Sequence, residues 1–197
     1  FYYGAHMFAF KKKYFLIIES IKNLNLRNIK KYNKLVIIYR NNNNLEKLED
    51  IKKFRKECKL KLIKFFVAND KNLAVLTKAD GIYLSAYNKN FSNLNLKRLN
   101  LKIIGSAHNT KEIELKNKQG CYSILFSKLF KVDYDKKSPT LGVVKFNRYL
   151  NYISKKLVPL GGIKITNLNS LKCINCRSIA LYTEIKKKPV KIINRLF

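Results

Sequence analysis

Residues 157–163 read Leu-Val-Pro-Leu-Gly-Gly-Ile, a short apolar run that stops at two glycines. A short apolar run with a proline near its start fits a buried parallel strand, because such strands are covered on both faces. The glycines at 161 and 162 remove the Cβ atoms where the chain leaves the strand, so backbone N–H groups can approach an anion. A plain tight turn is the alternative for an isolated Gly-Gly pair. The choice depends on where this run falls among the other apolar runs of the chain.

Seven other short runs, rich in β-branched and aromatic residues, alternate with polar stretches. The predicted strands cover residues 14–18, 35–39, 65–68, 81–84, 101–104, 122–126, 157–160 and 178–182. Apolar residues at helical spacing predict helices over 45–59, 73–76, 110–116, 143–156, 168–171 and 190–196. Eight strands with crossovers are typical of a single (β/α)8 TIM barrel, in which the loops after strands seven and eight often bind phosphate. At 197 residues this barrel must be compact, and a doubly wound open sheet is the alternative.

The composition is that of one globular domain, with 47% hydrophobic residues, seven Gly and three Pro. Residues 1–6 end in Gly-Ala-His directly before the only Met, so we interpret them as a cleavage and cloning scar and expect the barrel to span 7–197. Lysines interrupt every hydrophobic segment, and no run of eighteen apolar residues remains. We therefore expect a cytoplasmic protein without a membrane partner.

The formal net charge of +30 admits nucleic acid, an anionic membrane or an anionic metabolite as partner. The lysines lie all along the chain, and the accompanying Asn, Ile, Phe and Tyr have A/T-rich codons, so genome bias alone can supply this surface. We therefore do not expect a nucleic-acid partner.

Of the four cysteines only Cys173 and Cys176 are close in sequence, and no second pair completes a zinc site. We interpret the cysteines as packing residues in a reduced compartment. A redox pair of Cys173 and Cys176 is the alternative.

In a barrel the carboxyl ends of all strands face one mouth, so functional residues should lie there. The residues at or just after the predicted strand ends are polar and suited to an anion: Glu19, Arg40, Asn69, Asp70, Ser85, Asn88, Ser106, His108, Ser127, Gly161, Gly162 and Thr183.

Several of these residues belong to short motifs that follow one another along the chain. They are Val-Ala-Asn-Asp at 67–70, Ala-Asp-Gly-Ile-Tyr-Leu-Ser at 79–85, Ile-Ile-Gly-Ser-Ala-His-Asn at 103–109, Tyr-Ser-Ile-Leu-Phe-Ser at 122–127, Ser-Pro-Thr-Leu-Gly at 138–142 and Val-Pro-Leu-Gly-Gly-Ile at 158–163. In order and spacing, from about residue 14 to 185, the chain resembles the thiamine phosphate synthase family and its thiazole tautomerase (TenI) relatives. The resemblance implies a (β/α)8 barrel. It also implies a transferase that joins an aminopyrimidine methyl diphosphate to a thiazole phosphate, uses Mg²⁺ and releases diphosphate.

The resemblance assigns roles to the residues that match its motifs. Arg40, Ser106 and His108 would be catalytic, with Arg40 gripping the diphosphate and Ser106 facing it. Asp70 and Asn88 would hold Mg²⁺. The substrate-binding residues would be Arg40, Asn69, Ser85, Ser127, Gly161, Gly162, Tyr182 and Thr183, the last four around the thiazole phosphate.

The chain departs from the family pattern at several of these positions. Ile38 and Asn42 stand where the family usually has Gln and Lys, and Asn88 replaces a second metal carboxylate. The family's Thr and Lys after the sixth strand fall at Val132 and residues 134–136. Because Mg²⁺ is commonly held by one or two carboxylates plus phosphates, we expect the metal site to be weakened or lost.

Plain structural roles are the alternatives for the single residues. Asp70 could cap a helix, Arg40 could lie on the surface, and Ser85 and Asn88 could form turns. His108 has the side chain whose ordinary pKa suits proton transfer near neutral pH, and a structural histidine is its alternative. We expect a synthase that acts on phosphorylated small molecules, with a TenI-like tautomerase or a non-catalytic phosphate- or nucleic-acid-binding barrel as alternatives. The sequence leaves a homo-oligomer open.

Overall fold

Within the residues that the structure describes, a parallel sheet of eight strands alternates with helices. The structure is a computed structural model and describes residues 13–29, 33–41, 46–91, 100–133, 135, 137 and 139–187. The strands are β1 Lys13–Ile18, β2 Leu35–Tyr39, β3 Lys64–Ala68, β4 Gly81–Leu84, β5 Lys102–Ala107, β6 Ser123–Phe126, β7 Leu157–Pro159 and β8 Ser178–Leu181. The α-helices are α1 Leu48–Leu60, α2 Lys71–Leu76, α3 Thr110–Lys118, α4 Gly142–Tyr152 and α5 Thr183–Lys187. The 3-10 helices are Ile21–Asn23, Leu26–Asn28 and Ile165–Cys173.

The strands follow each other around a nearly closed barrel, in the order β7-β6-β5-β4-β3-β2-β1-β8. Each neighbouring pair in this order is parallel, and β8 returns to pair with β1. β7 and β8 lie side by side without ladder hydrogen bonds between their described residues. Pro159 contributes to this seam because proline has no N–H to donate. The predicted (β/α)8 barrel is therefore confirmed, and the doubly wound sheet is excluded.

Alternate residues of each strand enter two different apolar clusters. Phe15 and Ile17 of β1 belong to a cluster that draws at least one residue from every strand, so this cluster fills the barrel interior. Tyr14, Leu16 and Ile18 point the other way and pack in the layer under the helices. Aliphatic and aromatic side chains therefore fill the barrel interior.

Most predicted elements are present, with shifted ends. β2 and β4 have the predicted bounds, whereas β5 continues three residues beyond its predicted end at residue 104. The helix predicted over 143–156 ends at Tyr152, and the helix predicted over 168–171 is instead the 3-10 helix Ile165–Cys173. The helix predicted over 190–196, the proposed scar at 1–6, Asn42, Tyr134 and Lys136 lie outside the described residues.

The cysteine prediction holds for part of the set. Cys58 and Cys121 are buried free thiols, as packing residues should be. Cys176 is half-buried and Cys173 is exposed, so Cys173 does not pack in the core. None of the described helices is long and apolar enough to cross a membrane.

Candidate functional site

A cavity of about 170 Å³ opens where the strands of the barrel end. Its described lining includes the predicted site residues Arg40, Ser85, Ser106, His108, Ser127, Gly161, Gly162, Tyr182 and Thr183. Residues up to 143 positions apart in the sequence therefore meet at one mouth, as the carboxyl ends of barrel strands do. Asn69, Asp70 and Asn88 do not line the cavity.

Arg40 is held at the mouth by stacking. Its backbone N–H donates to the Ile18 carbonyl over 2.9 Å, which continues the β1–β2 pairing by one residue. Its guanidinium carbon lies 5.6 Å from the centre of the Tyr182 ring, in the range of a cation–π contact. Arg40 is thus an oriented cation facing the cavity and not a surface arginine.

The Tyr182 ring is itself fixed by a carboxylate. Its hydroxyl donates to one oxygen of Glu19, and Lys186 Nζ donates to the other oxygen over 2.7 Å. The hydrogen bonds from Lys186 and Tyr182 hold the pKa of Glu19 below its usual range. Glu19 therefore stays ionised and supports the ring on which Arg40 stacks.

His108 forms a hydrogen-bonded pair with Ser127 inside the cavity, with 2.9 Å between Nδ1 and Oγ. The backbone N–H of His108 donates to Glu112 Oε2 over 2.7 Å, and the Asn109 side chain caps α3 by accepting from the Glu112 N–H. His108 is therefore held both through its imidazole and through its backbone N–H. This geometry leaves the other ring nitrogen, Nε2, as the atom available to a ligand.

Two nearly buried polar residues form part of the cavity wall. Tyr83 is 4% exposed and Ser106 is 5% exposed. Burial raises the pKa of Tyr83, while a hydrogen bond with Ser106 and the charge of Arg40 act in the opposite direction. Ser106 was predicted from the sequence, whereas Tyr83 was not. The strand alternation that points Ile104 inward from β5 could have placed Tyr83 in the interior from β4.

The glycine pair serves a close approach of two chain segments. Gly161 and Gly162 have φ of +95° and +67°, which favour glycine. A Cβ on Gly162 would lie 2.4 Å from the Phe130 carbonyl oxygen and 2.5 Å from that of Lys131. Phe130 N–H also donates to the Gly161 carbonyl over 3.0 Å. The glycines therefore let the loop after β6 pack directly on the backbone after β7.

The same turn can still receive an anion. Within the described ranges, neither the Gly161 nor the Gly162 N–H donates to a backbone carbonyl. Both residues line the cavity, as does Thr183 at the start of α5. Backbone donors of this kind are suited to phosphate oxygens.

The three remaining predicted residues lie at or beyond the rim. Asn69, with φ of +57°, accepts through Oδ1 from the Ser85 N–H over 3.0 Å and from Asn88 Nδ2 over 3.2 Å. Asp70 caps α2, where its Oδ1 accepts from the Leu73 N–H over 2.8 Å. The capping alternative for Asp70 is thus realised, and Asn69 holds the segment that follows β4.

The donor set fits Mg²⁺ only in part. Asn88 Oδ1 accepts from the Asn90 N–H, and its amide nitrogen is directed to Asn69. Among the described residues, no group of three or more His, Cys, Asp or Glu side chains could hold a metal ion. Of the two residues predicted to hold Mg²⁺, Asp70 carries the one carboxylate. Mg²⁺ is commonly held by one or two carboxylates when phosphates complete its coordination shell.

The charge of the cavity favours an anionic ligand. Its described lining contains Arg40, Lys128 and His108 but neither Asp nor Glu. Lys128 is paired with Asp135, so Arg40 provides the cation that is not committed to a carboxylate in this wall. A positive, partly enclosed site with hydroxyl and N–H donors is suited to phosphate groups.

The chain is similar in sequence to known proteins. The sequence model of the family described as thiamine monophosphate synthase matches residues 23–185. A thiamine-phosphate synthase from Prochlorococcus marinus subsp. pastoris is 27% identical over 144 residues, which cover 73% of this chain. The matched region covers 41% of that relative, so the chain spans less than half of its length.

Solved structures agree on the fold. A thiamine phosphate pyrophosphorylase from Pyrococcus furiosus superposes with a TM-score of 0.75 at 19% identity, covering 95% of this chain and 94% of the other. A 3-keto-L-gulonate-6-phosphate decarboxylase from Vibrio cholerae gives a TM-score of 0.67 at 12% identity, covering 94% and 95%. At these identities the similarity shows the barrel alone.

Proposed function

Because the chain belongs to the thiamine monophosphate synthase family, we propose that it joins an aminopyrimidine methyl diphosphate to a thiazole phosphate and releases diphosphate. The observation that carries this proposal is the meeting of Arg40, His108, Gly161 and Gly162 in one cavity without a carboxylate in its described lining. Two substrates that each bear phosphate need such a site.

The thiazole phosphate is proposed to bind at the glycine turn. The N–H groups of Gly161 and Gly162 and the hydroxyl of Thr183, all residues of the cavity lining, would supply the donors. Fixing the phosphate there directs the thiazole ring toward the centre of the mouth. Holding two reactants in line in this way lowers the entropic part of the barrier.

The diphosphate is proposed to bind at Arg40. The bond between the pyrimidine methylene carbon and the diphosphate oxygen breaks, and its electron pair leaves with the diphosphate. The thiazole nitrogen then donates its lone pair to the methylene carbon, which forms the new C–N bond. Arg40 stabilises the charge that develops on the leaving group, with the Ser106 hydroxyl and His108 as further donors.

Mg²⁺ is proposed to enter with the diphosphate, held by Asp70, by phosphate oxygens and by water. When bound, it would neutralise charge on the leaving group. Asn88 supplies no carboxylate. Its side-chain amide donates to Asn69 and accepts from the Asn90 N–H. We therefore expect a higher Mg²⁺ requirement than a site with two carboxylates would show.

Turnover tests this proposal. The protein is incubated with both phosphorylated precursors and Mg²⁺, and thiamine phosphate and diphosphate are measured together. We expect equal amounts of both products, abolished by Arg40→Ala and retained by Arg27→Ala, which removes an exposed arginine that does not line the cavity. Thiazole isomerisation without thiamine phosphate would instead establish the tautomerase. Neither activity, with salt-sensitive binding to RNA, would establish a nucleic-acid binder.

A further inference from the structure

A fully buried lysine lies behind one wall of the cavity. Lys116 of α3 is 0% exposed. Its Nζ donates to the backbone carbonyl of Asn88 over 2.7 Å and to Gln119 Oε1 over 2.9 Å. Burying an ammonium group away from water is costly unless it is hydrogen-bonded, and these two hydrogen bonds offset part of that cost. Burial lowers the pKa of Lys116, and Cys121 and Glu112 oppose this effect.

Gln119 completes the arrangement and lies directly after the last residue of α3. Its side chain is 1% exposed, and its Nε2 donates to the Asn88 carbonyl over 3.0 Å and to the Asn90 carbonyl over 2.9 Å. One side chain of α3 and one directly after its C-terminal end thus hold two carbonyls of residues 85–90, here named the β4 segment. We name Lys116 and Gln119 together the α3 clamp.

The barrel wall has an opening for the stem of the lysine. A Cβ on Gly105 of β5 would lie 2.8 Å from Lys116 Cδ and 2.9 Å from Lys116 Cγ. The same atom would lie 2.8 Å from the sulfur of Cys121. Gly105 therefore provides the room for the aliphatic part of Lys116, and the clamp is fitted to this strand.

The β4 segment is held from its other side as well. Asn69 at the end of β3 accepts from the Ser85 N–H and from the Asn88 side chain. Ser85, Ala86 and Tyr87 line the cavity. The segment is thus fixed between β3 and α3 at the edge of the mouth.

Tyr87 gives this arrangement a use. Its side chain is 84% exposed although it lines the cavity, and its ring centre lies 6.4 Å from that of His108. An exposed aromatic ring at the rim of a phosphate-accepting cavity offers a flat surface to a heteroaromatic ring. Its position depends on the segment that the α3 clamp holds.

We propose that Tyr87 stacks on a heteroaromatic ring of the substrate, and that Lys116 and Gln119 are positioning residues that hold Tyr87 in place. The identity of the ring-bearing ligand rests on the proposed function. The clamp itself is a structural claim that does not depend on turnover.

A double-mutant cycle tests the proposal with thiamine phosphate as the probe, its dissociation constant measured by calorimetry. Loss of a stacked aromatic ring typically weakens binding by roughly tenfold or more, so we expect this for Tyr87→Ala and little change for Tyr87→Phe. Lys116→Met keeps the stem and removes the ammonium group, and should weaken binding to a similar extent. In the double variant the two effects should not add, because both act through the same ring.

Hydrogen exchange supplies the readout that needs no ligand. Lys116→Met should accelerate exchange of the amides of residues 85–90 by about tenfold or more, and leave β2 and β3 unchanged. Lys118→Met removes an exposed lysine from the same helix and should change neither quantity. Gln119→Leu should reproduce the acceleration, and serves as the test if Lys116→Met does not fold.

Three results would overturn the proposal: unchanged binding in Tyr87→Ala, additive losses in the double variant, or unchanged exchange of residues 85–90 in the clamp variants. A wild-type protein that binds no thiamine phosphate would overturn the proposed function and the stacking role together. The exchange measurement would then still decide whether the clamp holds the segment.

Discussion

Gly162 is constrained in two ways, by a positive φ and by a close contact at its Cβ position. Its φ of +67° strains any L side chain, and a Cβ there would lie 2.4 Å from a backbone carbonyl oxygen of the loop after β6. Gly120 has a similar φ of +76° with nothing within 4 Å of its Cβ position. The pair separates the cost of the backbone conformation from the cost of the contact.

We expect Gly120→Ala to lower the free energy of unfolding by about 1 kcal/mol, as a residue forced to positive φ does. Gly162→Ala should lower it by about 1–3 kcal/mol more, because the added methyl group overpacks the contact between the two loops. Urea unfolding of both variants measures the difference. Equal losses would mean that the two loops do not touch as described.

Arg40 allows a test of stacking against charge. Arg40→Lys keeps the positive charge but loses the planar group that lies over Tyr182 and the paired donors that match phosphate. We expect kcat/KM for coupling to fall by about tenfold to hundredfold in Arg40→Lys, and by more in Arg40→Ala. Wild-type kinetics in Arg40→Lys would show that the guanidinium geometry is irrelevant.

Some site residues can be recognised from their position in the sequence alone. Arg40, His108 and Ser127 are polar and directly follow apolar strands, so the barrel alone brings them together. Lys116 was missed because the chain has 42 basic residues and nothing in the local sequence sets this one apart. A lysine in a predicted helix is expected on its exposed face. Its spacing of three from the buried Ile113 was the available signal.

At the scale of elements, the loop after β6 is tied to its neighbours by an ion triad. Asp133 accepts from Lys164 Nζ over 2.5 Å and from Lys187 Nζ over 2.9 Å, which connects this loop to the segment after β7 and to α5. These contacts and the associated charges lower the pKa of Asp133 from its ordinary value of 3.8 to about 2.

Because the pKa of Asp133 is lower in the folded state, its contribution to stability is present above the ordinary value and is lost as pH falls toward about 2. We expect an NMR titration of its carboxyl carbon to show a midpoint near the lower value. Lys164→Gln should move that midpoint upward by removing one of the two lysines that lower this pKa. A midpoint of 3.8 or above in the unmodified chain would contradict the triad.

Element ends show where local sequence gives too little information. β5 continues through Gly105 and Ser106, which look like turn residues but pair with β6 in register. The helix after β7 is of the 3-10 type, and Asn167 ties its start to the Gly162 carbonyl over 2.7 Å. Both features depend on contacts with distant segments, which no local periodicity contains.

At the scale of the molecule, the barrel has one seam. β3 and β4 are paired on both sides, whereas β7 and β8 each have one described ladder. The sequence predicted the eight strands but not this seam, although Pro159 was its visible sign.

We expect the amides of β8 that face β7 to exchange with solvent at least about tenfold faster than those of β3 and β4, since unpaired edge groups open more easily. Native-state hydrogen exchange followed by NMR measures this. Uniform protection around the barrel would show that β7 and β8 close it with hydrogen bonds.

A structure of the protein with thiamine phosphate and diphosphate bound would show whether one cavity receives both ligands. We expect the phosphate of thiamine phosphate on the N–H groups of Gly161 and Gly162, and the diphosphate on the Arg40 guanidinium. Ligands bound elsewhere on the positive surface, with this cavity empty, would overturn the proposed site.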